Sequence, residues 1–552
     1  MTNGYKIRTT FVFLLFCALY SIIIFNLYLV QITQSTFFAR LGHKQYNFAI
    51  TTHPPRAPIY DRSGKKIALN RDVLTAFIMP NKLEQPKKLI AFLSQHFPHT
   101  IQKLEQHRKK SFMYIQRRLN AQQIAAIKNS NVPDIHLLQE PNRMYPIPSA
   151  ACITGITDID NNGVCGIELI CNTQLAGTPT THQLQKDARS GHFYFTKETR
   201  VSGKAGTPVT LTIDGNLQFL AQEELNKTVK IFNAPEGAVI IINPANGHIH
   251  AMVQYPDFDP ENRNIIAAVH TKNKISTEAY ELGSVMKICT ALAALEEGVI
   301  TLNEEIDCHN KKTSYIDGRK INTVIAQDIV PFWDVIARSN NIGIAQVAKR
   351  LDHLLYNHYK RLGFGEKTGI PIAGEQAGFV NPPHNWSKQS IFSLSYGYEI
   401  RATLLQLARA FCIIANDGYA VEPKLIIEPL VKGSLQTLID MPEKKRLYSQ
   451  KAIEDIKIIL HKTTQEGSGR KAHIKGYNIM TKTGSANLLI DGIYDHNKSI
   501  FTCAGIVEKG DYKRVIVTFI KEPQCKQVYA STVAAPLFEQ VAQKMLIHDK
   551  IL

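Results

Sequence analysis

The sequence predicts an α+β protein that is held in a membrane by one N-terminal helix. Three observations support this prediction. A long uncharged apolar run lies near the N-terminus, strand-like segments occur in two groups far apart in the chain, and mostly helical patterns lie between them. Such a grouping is typical of one antiparallel sheet with helices inserted between its parts. The length of 552 residues predicts two or three domains.

The N-terminal segment has the features of an uncleaved membrane anchor. No charged residue occurs from Thr9 to Ala39. As a helix, the stretch from Phe11 to Ile32 would span roughly 33 Å, which is enough for a bilayer core. Lys6 and Arg8 precede it, so the positive-inside rule predicts a short cytoplasmic tail and an extracytoplasmic remainder. A cleaved signal peptide would be shorter and would end in small residues, whereas bulky residues end this run.

The remaining elements follow in chain order. Residues 53–70 form an extended segment rich in Pro and Gly, and short mixed patterns follow as far as residue 205. These patterns predict a strand at 73–80, helices at 87–97 and 120–130, a strand and a helix opened by Asp214 within 206–232, a hairpin at 236–254, strands at 499–508 and 514–522, and a helix at 532–546.

The formal charge of +17 is high for a chain of this length. It is compatible with nucleic acid, an anionic membrane surface or an acidic substrate. The basic residues are scattered except for a cluster from His107 to Arg118, and no nucleic-acid motif accompanies that cluster. We interpret the cluster as a solvated surface and expect no nucleic acid as partner.

Nine cysteines occur in the chain. Cys152, Cys165 and Cys171 are close in sequence, and an oxidising compartment would permit a pair among them. Their spacing fits no zinc site, and we expect neither a metal nor another cofactor. Cys289 and Cys412 lie in apolar helical runs and are predicted to be buried free thiols. We assign no disulfide.

The stretch from Tyr280 to Gly298 carries the candidate nucleophile. Its apolar pattern predicts a helix that begins at Ser284 and places Lys287 one turn later on the same face. Free N–H groups at a helix start stabilise an oxyanion. A serine needs a base, and a lysine is a base only when neutral. Burial and a second cation would lower the lysine pKa from about 10.4.

Ser-x-x-Lys alone is a weak signal. Ser63–Lys66 has the same pattern in a loop, where we interpret it as structural. Ser339 and Asn341 strengthen the assignment, because a Ser-x-Asn between two helical runs can relay a proton and hold an amide. The alternative interpretation is that these residues only cap a helix.

Lys-Thr-Gly occurs twice. Lys367 follows a helix end and enters a loop rich in Gly and Pro, so we interpret that copy as a turn. Lys482 and Thr483 lie in a strand context, where they can line the edge of a cleft. Gly484 would let a substrate strand approach closely, and the backbone N–H of Ser485 could donate to an oxyanion.

Ser-x-x-Lys, Ser-x-Asn and Lys-Thr-Gly in this order resemble the signature of serine penicillin-binding proteins and related β-lactamases. Two departures are small: Leu282 stands where the family usually has Pro, and Ser485 where Thr is common. The resemblance covers nearly the whole chain and is greatest to class B, and within it to the division-specific FtsI type, also called penicillin-binding protein 3. It is carried by the segments RAPIYDRSGKKIALN, RMYP, NNGVCGIE, INPANGHIHAMVQYPDFDP, SYGYEIRATLLQLARAF and EGSGRKAHIKGYNIMTKTGSA.

The resemblance implies a cytoplasmic tail at 1–9, a transmembrane helix at 10–32, an elongated pedestal of the dimerisation type at 33–209 and a penicillin-binding transpeptidase domain at 210–548. The last would contain an antiparallel sheet flanked by helices and an all-helical subdomain.

The resemblance also implies a D,D-transpeptidase that cross-links peptidoglycan stem peptides. Ser284 would attack the penultimate D-Ala carbonyl, with Lys287 as general base. Ser339 would pass the proton to the leaving amine, and Asn341 would hold the acyl-side amide. Lys482 would keep Lys287 neutral.

Lys482 would also bind the substrate carboxylate, together with Thr483 and Ser485. The backbone N–H groups of Ser284 and Ser485 would form the oxyanion hole. β-Lactams would acylate Ser284 as mimics of D-Ala-D-Ala. The implied partners are an FtsW-type glycan polymerase and other divisome membrane proteins, at the septum of the cytoplasmic membrane.

Three alternatives stay open. The first is the elongation-type class B transpeptidase. The second is a membrane-anchored β-lactamase or sensor, against which the long segment from Thr33 to Ala205 argues. The third is a non-catalytic divisome scaffold, against which the three intact motifs argue.

Overall fold

The computed structural model describes residues 3–186, 193–262, 268–427, 445–490, 492–525 and 528–551. Met1 and Thr2 of the predicted cytoplasmic tail lie outside them. By contacts the chain forms two compact units, one of Met1–Arg56 with Ala176–Thr207 and one of Ala57–Leu175 with Pro208–Leu552. The two units are defined by packing and do not test the domain boundaries predicted from the sequence, which stay predictions.

The first unit contains the predicted anchor. Tyr5–Thr33 is long and apolar enough to cross a membrane, and its side chains are not buried against protein. Its helical elements are Asn3–Tyr28, a π-helical turn at Leu29–Thr33, and Ser35–Tyr46. The unit also has an antiparallel sheet with the strand order Asn47–Thr52, Thr180–Lys186, Phe193–Val201.

The N-terminal part of the second unit is built on the long strand Lys66–Ile78, which pairs with His136–Met144 on one side and Met113–Gln116 on the other. The strand and the two helices predicted here are confirmed. Ala121–Asn129 begins with a capping box from Asn120, which explains why the sequence signal was clear. The helices of this part are Pro86–His96, His99–Gln106, Ala121–Asn129, Ala151–Thr154, Gly166–Ile170 and Asn172–Ala176.

This part also contains a buried ion pair and the cysteine cluster. Arg143 Nε donates to Glu168 Oε1 over 2.7 Å, and neither side chain is exposed. Cys152, Cys165 and Cys171 are free thiols. The short strand Ile59–Tyr60 joins this sheet to Val209–Thr210.

The central sheet of the second unit is antiparallel and has five strands. Their spatial order is Ile249–Tyr255, Glu236–Ile242, Tyr512–Lys521, Ile493–Lys509 and Asn478–Ile490. The predicted hairpin is confirmed, because Glu236–Ile242 pairs with Ile249–Tyr255. The two predicted C-terminal strands also pair with each other. We call Asn478–Ile490, which lies at one edge, the catalytic strand.

Helices cover both faces of the central sheet. Gly215–Phe232, capped by Asp214 as predicted, and Ala534–His548 pack against one face, where Val239 and Ile241 are buried. Ile240 points to the opposite face and belongs to the other core cluster. Because successive side chains of a strand alternate between faces, covering both faces requires an unbroken apolar run such as Val239–Ile242.

The opposite core contains the helix Lys287–Glu296, which we call the nucleophile helix. Cys289 lies in it and is buried, as predicted, and so is Cys412. The other helices on this side are Lys274–Thr277, Phe332–Ala337, Asn341–Leu351, Leu354–Arg361, Ser390–Ser395, Leu404–Ala415 and Gln450–Gln465. Three two-stranded sheets lie among them: Glu305–Asp307 with Ile329–Pro331, Thr313–Ile316 with Arg319–Asn322, and Phe379–Val380 with Ile400–Arg401.

Candidate active site

The candidate nucleophile lies in a tight turn rather than in the α-helix itself. Gly283–Met286 forms a 3₁₀ turn, and the α-helix begins at Lys287. The predicted start at Ser284 was therefore one turn early. The reason is local: Gly283 has a φ of +62°, which favours glycine and reverses the chain just before Ser284. Ser284 is half-buried at the start of the nucleophile helix.

Two glycines let this turn lie directly against the catalytic strand. A Cβ on Gly283 would lie 2.3 Å from the carbonyl oxygen of Ser485, and a Cβ on Gly484 would lie 2.6 Å from that of Leu282. Neither position has room for a side chain. Gly484 packs against the turn that carries Ser284, and its expected role in admitting a substrate strand stays a prediction. The close contact fixes Ser284 relative to the Lys-Thr-Gly segment.

Lys287 is fully buried beside the candidate nucleophile Ser284. Its Nζ lies 3.1 Å from Ser284 Oγ and 3.0 Å from Ser339 Oγ, and it donates to the carbonyl oxygen of Ser339 over 2.6 Å. Burial, followed by the nearby charge of Lys482, holds the Lys287 pKa well below its usual range. The side chain can therefore be a neutral amine that accepts the serine proton.

Lys482 is also fully buried and reaches the same hydroxyl from the catalytic strand. Its Nζ donates to Ser339 Oγ over 3.1 Å and to the carbonyl oxygen of Thr483 over 2.9 Å. Burial lowers the Lys482 pKa to about 7. Ser339 Oγ thus lies between the two amines, and the predicted grouping of Ser284, Lys287, Ser339 and Lys482 is present in the structure.

The Ser-Asn-Asn segment divides its tasks among its three residues. Asn340, the middle residue, caps the helix Asn341–Leu351: its Oδ1 accepts from the backbone N–H groups of Ile342 and Gly343 over 2.8 and 3.1 Å. The capping interpretation thus holds for Asn340. Ser339 precedes the cap with a φ of +62°, which turns its side chain toward the lysines.

Asn341 is the first residue of this helix and is half-buried. Its Nδ2 donates to the carbonyl oxygen of Asn322 over 2.7 Å. Anchoring the amide nitrogen fixes the side chain and leaves Oδ1 to act as an acceptor, which is the atom that an amide N–H of a substrate needs.

The catalytic strand contributes two hydroxyl groups to the candidate site, those of Thr483 and Ser485. Thr483 is buried and donates from Oγ1 to Ser468 Oγ over 2.8 Å, whereas Ser485 is exposed. The sequence reasoning missed Ser468. A signal was available in the sequence, because glycines flank Ser468 on both sides. In the structure a Cβ on Gly467 would lie 2.2 Å from the carbonyl oxygen of Ala337. Such packing marks a loop held against the site.

The duplicate motifs belong to ordinary loops. Lys367 is exposed, and the two residues after it bind Glu375: the backbone N–H of Thr368 donates to Oε1 over 2.7 Å and that of Gly369 to Oε2 over 3.1 Å. Ser63 donates its backbone N–H to Asp61 Oδ1 over 2.8 Å. Both interpretations as structural turns are confirmed.

The site can perform acyl transfer with its own side chains. A hydroxyl group next to a depressed amine provides a nucleophile and a base, and a second hydroxyl group between two amines provides a path for the proton. In the described part of the chain no group of three or more His, Cys, Asp or Glu residues is arranged to hold a metal ion.

Comparison with known families agrees with this chemistry. Residues 237–543 match the model of the penicillin binding protein transpeptidase domain, which spans more than half of the chain. Residues 51–211 match the penicillin-binding protein dimerisation domain.

Individual relatives are similar over most of their length. Stage V sporulation protein D of Bacillus subtilis is 27% identical, over 97% of this chain and 85% of its own. The peptidoglycan D,D-transpeptidase FtsI of Buchnera aphidicola is 29% identical, over 90% of this chain and 87% of its own. The crystal structure of penicillin binding protein 3 from Mycobacterium tuberculosis, complexed with aztreonam, is 22% identical, has a TM-score of 0.69 and covers 91% of this chain and 98% of its own.

Proposed function

The chain belongs to the class B penicillin-binding proteins and is a peptidoglycan D,D-transpeptidase, and on this premise we propose that Ser284 is its nucleophile and septal wall its product. The observation that carries the assignment of the nucleophile is the position of a buried amine, Lys287 Nζ, 3.1 Å from Ser284 Oγ.

In the first step Ser284 Oγ attacks the carbonyl carbon of the penultimate D-Ala. The C–O bond forms while the serine proton passes to the neutral amine of Lys287. The resulting oxyanion is stabilised by the backbone N–H groups of Ser284 and Ser485. The close packing of Gly283 against Ser485 supports this pairing, because it holds the two N–H groups in one rigid unit.

In the second step the peptide bond breaks and the terminal D-Ala leaves as an amine. The proton that the leaving amine needs travels from Lys287 through Ser339 Oγ, which lies 3.0 Å from Lys287 Nζ. An acyl-enzyme remains on Ser284. The amino group of a second stem peptide then attacks this ester and gives its proton back through the same path, so that Ser284 is regenerated and the cross-link is complete.

Substrate binding depends on the residues around this path. Lys482 and the hydroxyl groups of Thr483 and Ser485 bind the terminal carboxylate, and Asn341 Oδ1 accepts the acyl-side amide N–H. A β-lactam presents a carboxylate and a strained carbonyl in the same arrangement and acylates Ser284. The relative complexed with aztreonam supports this proposal by analogy.

Acylation by a fluorescent penicillin tests the assignment of the nucleophile. The full-length protein in detergent should become labelled, and peptide mapping by mass spectrometry should locate the label on Ser284. A label on another residue, or no label at all, would contradict the proposal.

The membrane anchor and the division role rest on different observations. One apolar helix near the N-terminus, among the described residues, supports single-pass anchoring. The FtsI relative supports a septal role with an FtsW-type glycan polymerase and other divisome membrane proteins as partners. The similarity to a sporulation protein supports a second candidate, a specialised wall-synthesis role outside ordinary division.

Depletion experiments distinguish these roles. In a rod-shaped host, loss of a septal enzyme should give filaments with blocked septa. Round, swollen cells would instead identify the elongation-type enzyme, and normal vegetative growth would favour the specialised role.

N-terminal sequencing tests the anchor. The first residue of the mature protein should lie before Phe11, because the anchor stays in place.

A further inference from the structure

A cavity lies at the edge of the central sheet that is opposite the catalytic strand. Its volume is about 460 Å³, and it is bounded by the helix Gly215–Phe232 and the segment that follows the strand Ile249–Tyr255. That strand and the catalytic strand form opposite edges of the sheet. Four spacings between neighbouring strands separate them by about 19 Å, so the cavity is not part of the transpeptidase site.

The charged groups of the cavity are all acidic. Glu223, Asp257 and Asp259 contribute carboxylates, and none of the described residues that line the cavity is basic. Glu223 has an exposed partner in Lys227 at 3.4 Å. Asp257 accepts a hydrogen bond only from the backbone N–H of Phe258, over 2.9 Å, among the residues that the structure describes. Burial raises the Asp257 pKa to about 7, and the hydrogen bond from Phe258 opposes this shift only in part.

Two further oxygen atoms in the wall are buried and have no hydrogen-bond partner among the residues that the structure describes. They are Ser149 Oγ and Gln222 Oε1, and each residue is 8% exposed. The orientation of Gln222 is settled, because its Nε2 donates to Asn226 Oδ1 and to the carbonyl oxygen of Gln254, both over 3.0 Å. Buried acceptors are nearly always paired, so two unpaired ones in a single cavity indicate a site for a hydrogen-bond donor.

Aromatic rings complete the cavity. Phe219 is 59% exposed although it is large and apolar, and Tyr255 is half-buried in the same wall. Rings of this kind attract cations that are partly removed from water. A guanidinium group suits all three features, because it is flat, permanently charged and carries five donors. An ammonium group is more strongly hydrated and stacks less well.

We propose that this cavity binds an arginine side chain presented by an extended segment of a partner protein. The guanidinium group pairs with Asp257, donates to the unpaired oxygens of the wall and lies against Phe219. The volume exceeds the needs of one side chain and falls within the range of about 300–1,000 Å³ that is typical of ligand sites. The residues next to the arginine occupy the remaining space.

The direct test uses the full-length protein in detergent and fluorescein-labelled tripeptides. The probe is Gly-Arg-Gly amide, and its matched control replaces arginine by citrulline, which has the same shape without the charge. Fluorescence anisotropy should give a Kd for the arginine peptide of about 1 mM or tighter, and at least about tenfold weaker binding of the citrulline peptide. Equal binding of the two peptides, or no binding, would overturn the proposal.

Variants connect the binding to the cavity. Asp257→Asn should weaken binding of the arginine peptide about tenfold or more, and Ser149→Ala should weaken it less. Asp511→Asn is the control, because that carboxylate lines a different cavity, together with Lys513 and Arg514. Binding that survives Asp257→Asn unchanged would overturn the proposal.

Two further measurements remove ambiguity. The rate of penicillin acylation should be unchanged in Asp257→Asn, since the transpeptidase site lies elsewhere. If that variant loses acylation through misfolding, Phe219→Ala replaces it, because this side chain is already exposed, and unchanged peptide binding in it would overturn the proposal. Equal affinity for agmatine and for the tripeptide would overturn the assignment to a protein segment and identify a small guanidinium compound as the ligand.

Discussion

The Nζ atom of Lys287 lies 3.1 Å from the Oγ atom of Ser284. Ser284 lies in the 3₁₀ turn Gly283–Met286, which continues directly into the α-helix that begins at Lys287, so the two groups are only three residues apart on continuous backbone and not on a mobile loop. Lys287 is completely buried and lies near a second lysine, and both features lower its pKa. Its amine can therefore be neutral and accept the serine proton.

Replacing Ser284 by Ala should abolish covalent labelling by penicillin without unfolding the protein. The hydroxyl oxygen is the only heavy atom removed, and the turn around it is held by backbone contacts. Gel fluorescence measures the label, and thermal denaturation verifies the fold. Labelling at the wild-type level would show that another residue is the nucleophile.

The two Lys-Thr-Gly copies should respond in opposite ways. Lys482→Ala removes a buried cation beside Ser339, and it should lower the second-order acylation rate by about 10²–10³. Lys367→Ala should leave that rate almost unchanged, because Lys367 is exposed in a loop whose neighbouring residues bind Glu375. The measurement is stopped-flow acylation by one penicillin. Equal losses would mean that we have assigned the wrong copy.

The pH profile of acylation should move when Lys482 is replaced. The rate rises with pH as Lys287 loses its proton, and the positive charge of Lys482 lowers that pKa. Removing the charge raises the pKa, so in Lys482→Ala the rising limb should shift to higher pH. The Lys367→Ala variant is the control, and its limb should coincide with that of the wild type. An unshifted limb in Lys482→Ala would show that the two amines are not coupled.

Gly283 should not tolerate a side chain. Gly283→Ala places a Cβ 2.3 Å from the carbonyl oxygen of Ser485, so the catalytic strand has to move and acylation should fall by about tenfold or more. Gly298→Ala is a matched control: its φ of +66° is almost the same, but nothing lies within 4 Å of its Cβ. That variant should lose only about 1–2 kcal/mol of stability and keep its acylation rate.

Breaking the buried ion pair of Arg143 and Glu168 should destabilise the protein more than breaking an exposed pair. Glu168→Gln removes the carboxylate that accepts from Arg143 in this fully buried pair, and the free energy of unfolding should fall by about 3–5 kcal/mol. Glu304→Gln breaks the pair with Arg350, which is partly exposed, and should cost no more than about 1 kcal/mol. Urea denaturation of both variants provides the comparison. Similar losses would show that burial does not distinguish the two pairs.

The order of the three motifs, with the family resemblance that it carries, led to Ser284, Lys287, Ser339 and Lys482, and the structure brings these four side chains together. Their exact geometry could not be predicted in the same way. The 3₁₀ turn before Lys287 was missed, since it depends on a glycine that packs against a strand about 200 residues later. No local pattern contains that contact.

The fold shows the same division. Strands and helices with strong apolar periods, such as Glu236–Ile242 and Ala534–His548, lie where they were predicted. The packing of Ala57–Leu175 with the C-terminal part of the chain could not be foreseen, because it depends on contacts between distant segments. Ser468 was missed for the same reason, since its partner Thr483 lies on another element.

The order of strands in the central sheet also bears on how the candidate site forms during folding. The catalytic strand reaches Glu236–Ile242 only through Ile493–Lys509 and Tyr512–Lys521, which follow it in the chain. Ser284 and Lys287 are three residues apart, whereas Lys482 meets Ser339 across 143 positions of sequence. Contacts between distant segments form slowly, because the entropy of closing the loop between them opposes each contact. We therefore expect the pair of Ser284 and Lys287 to form early in folding and Lys482 to join it only after the sheet is assembled.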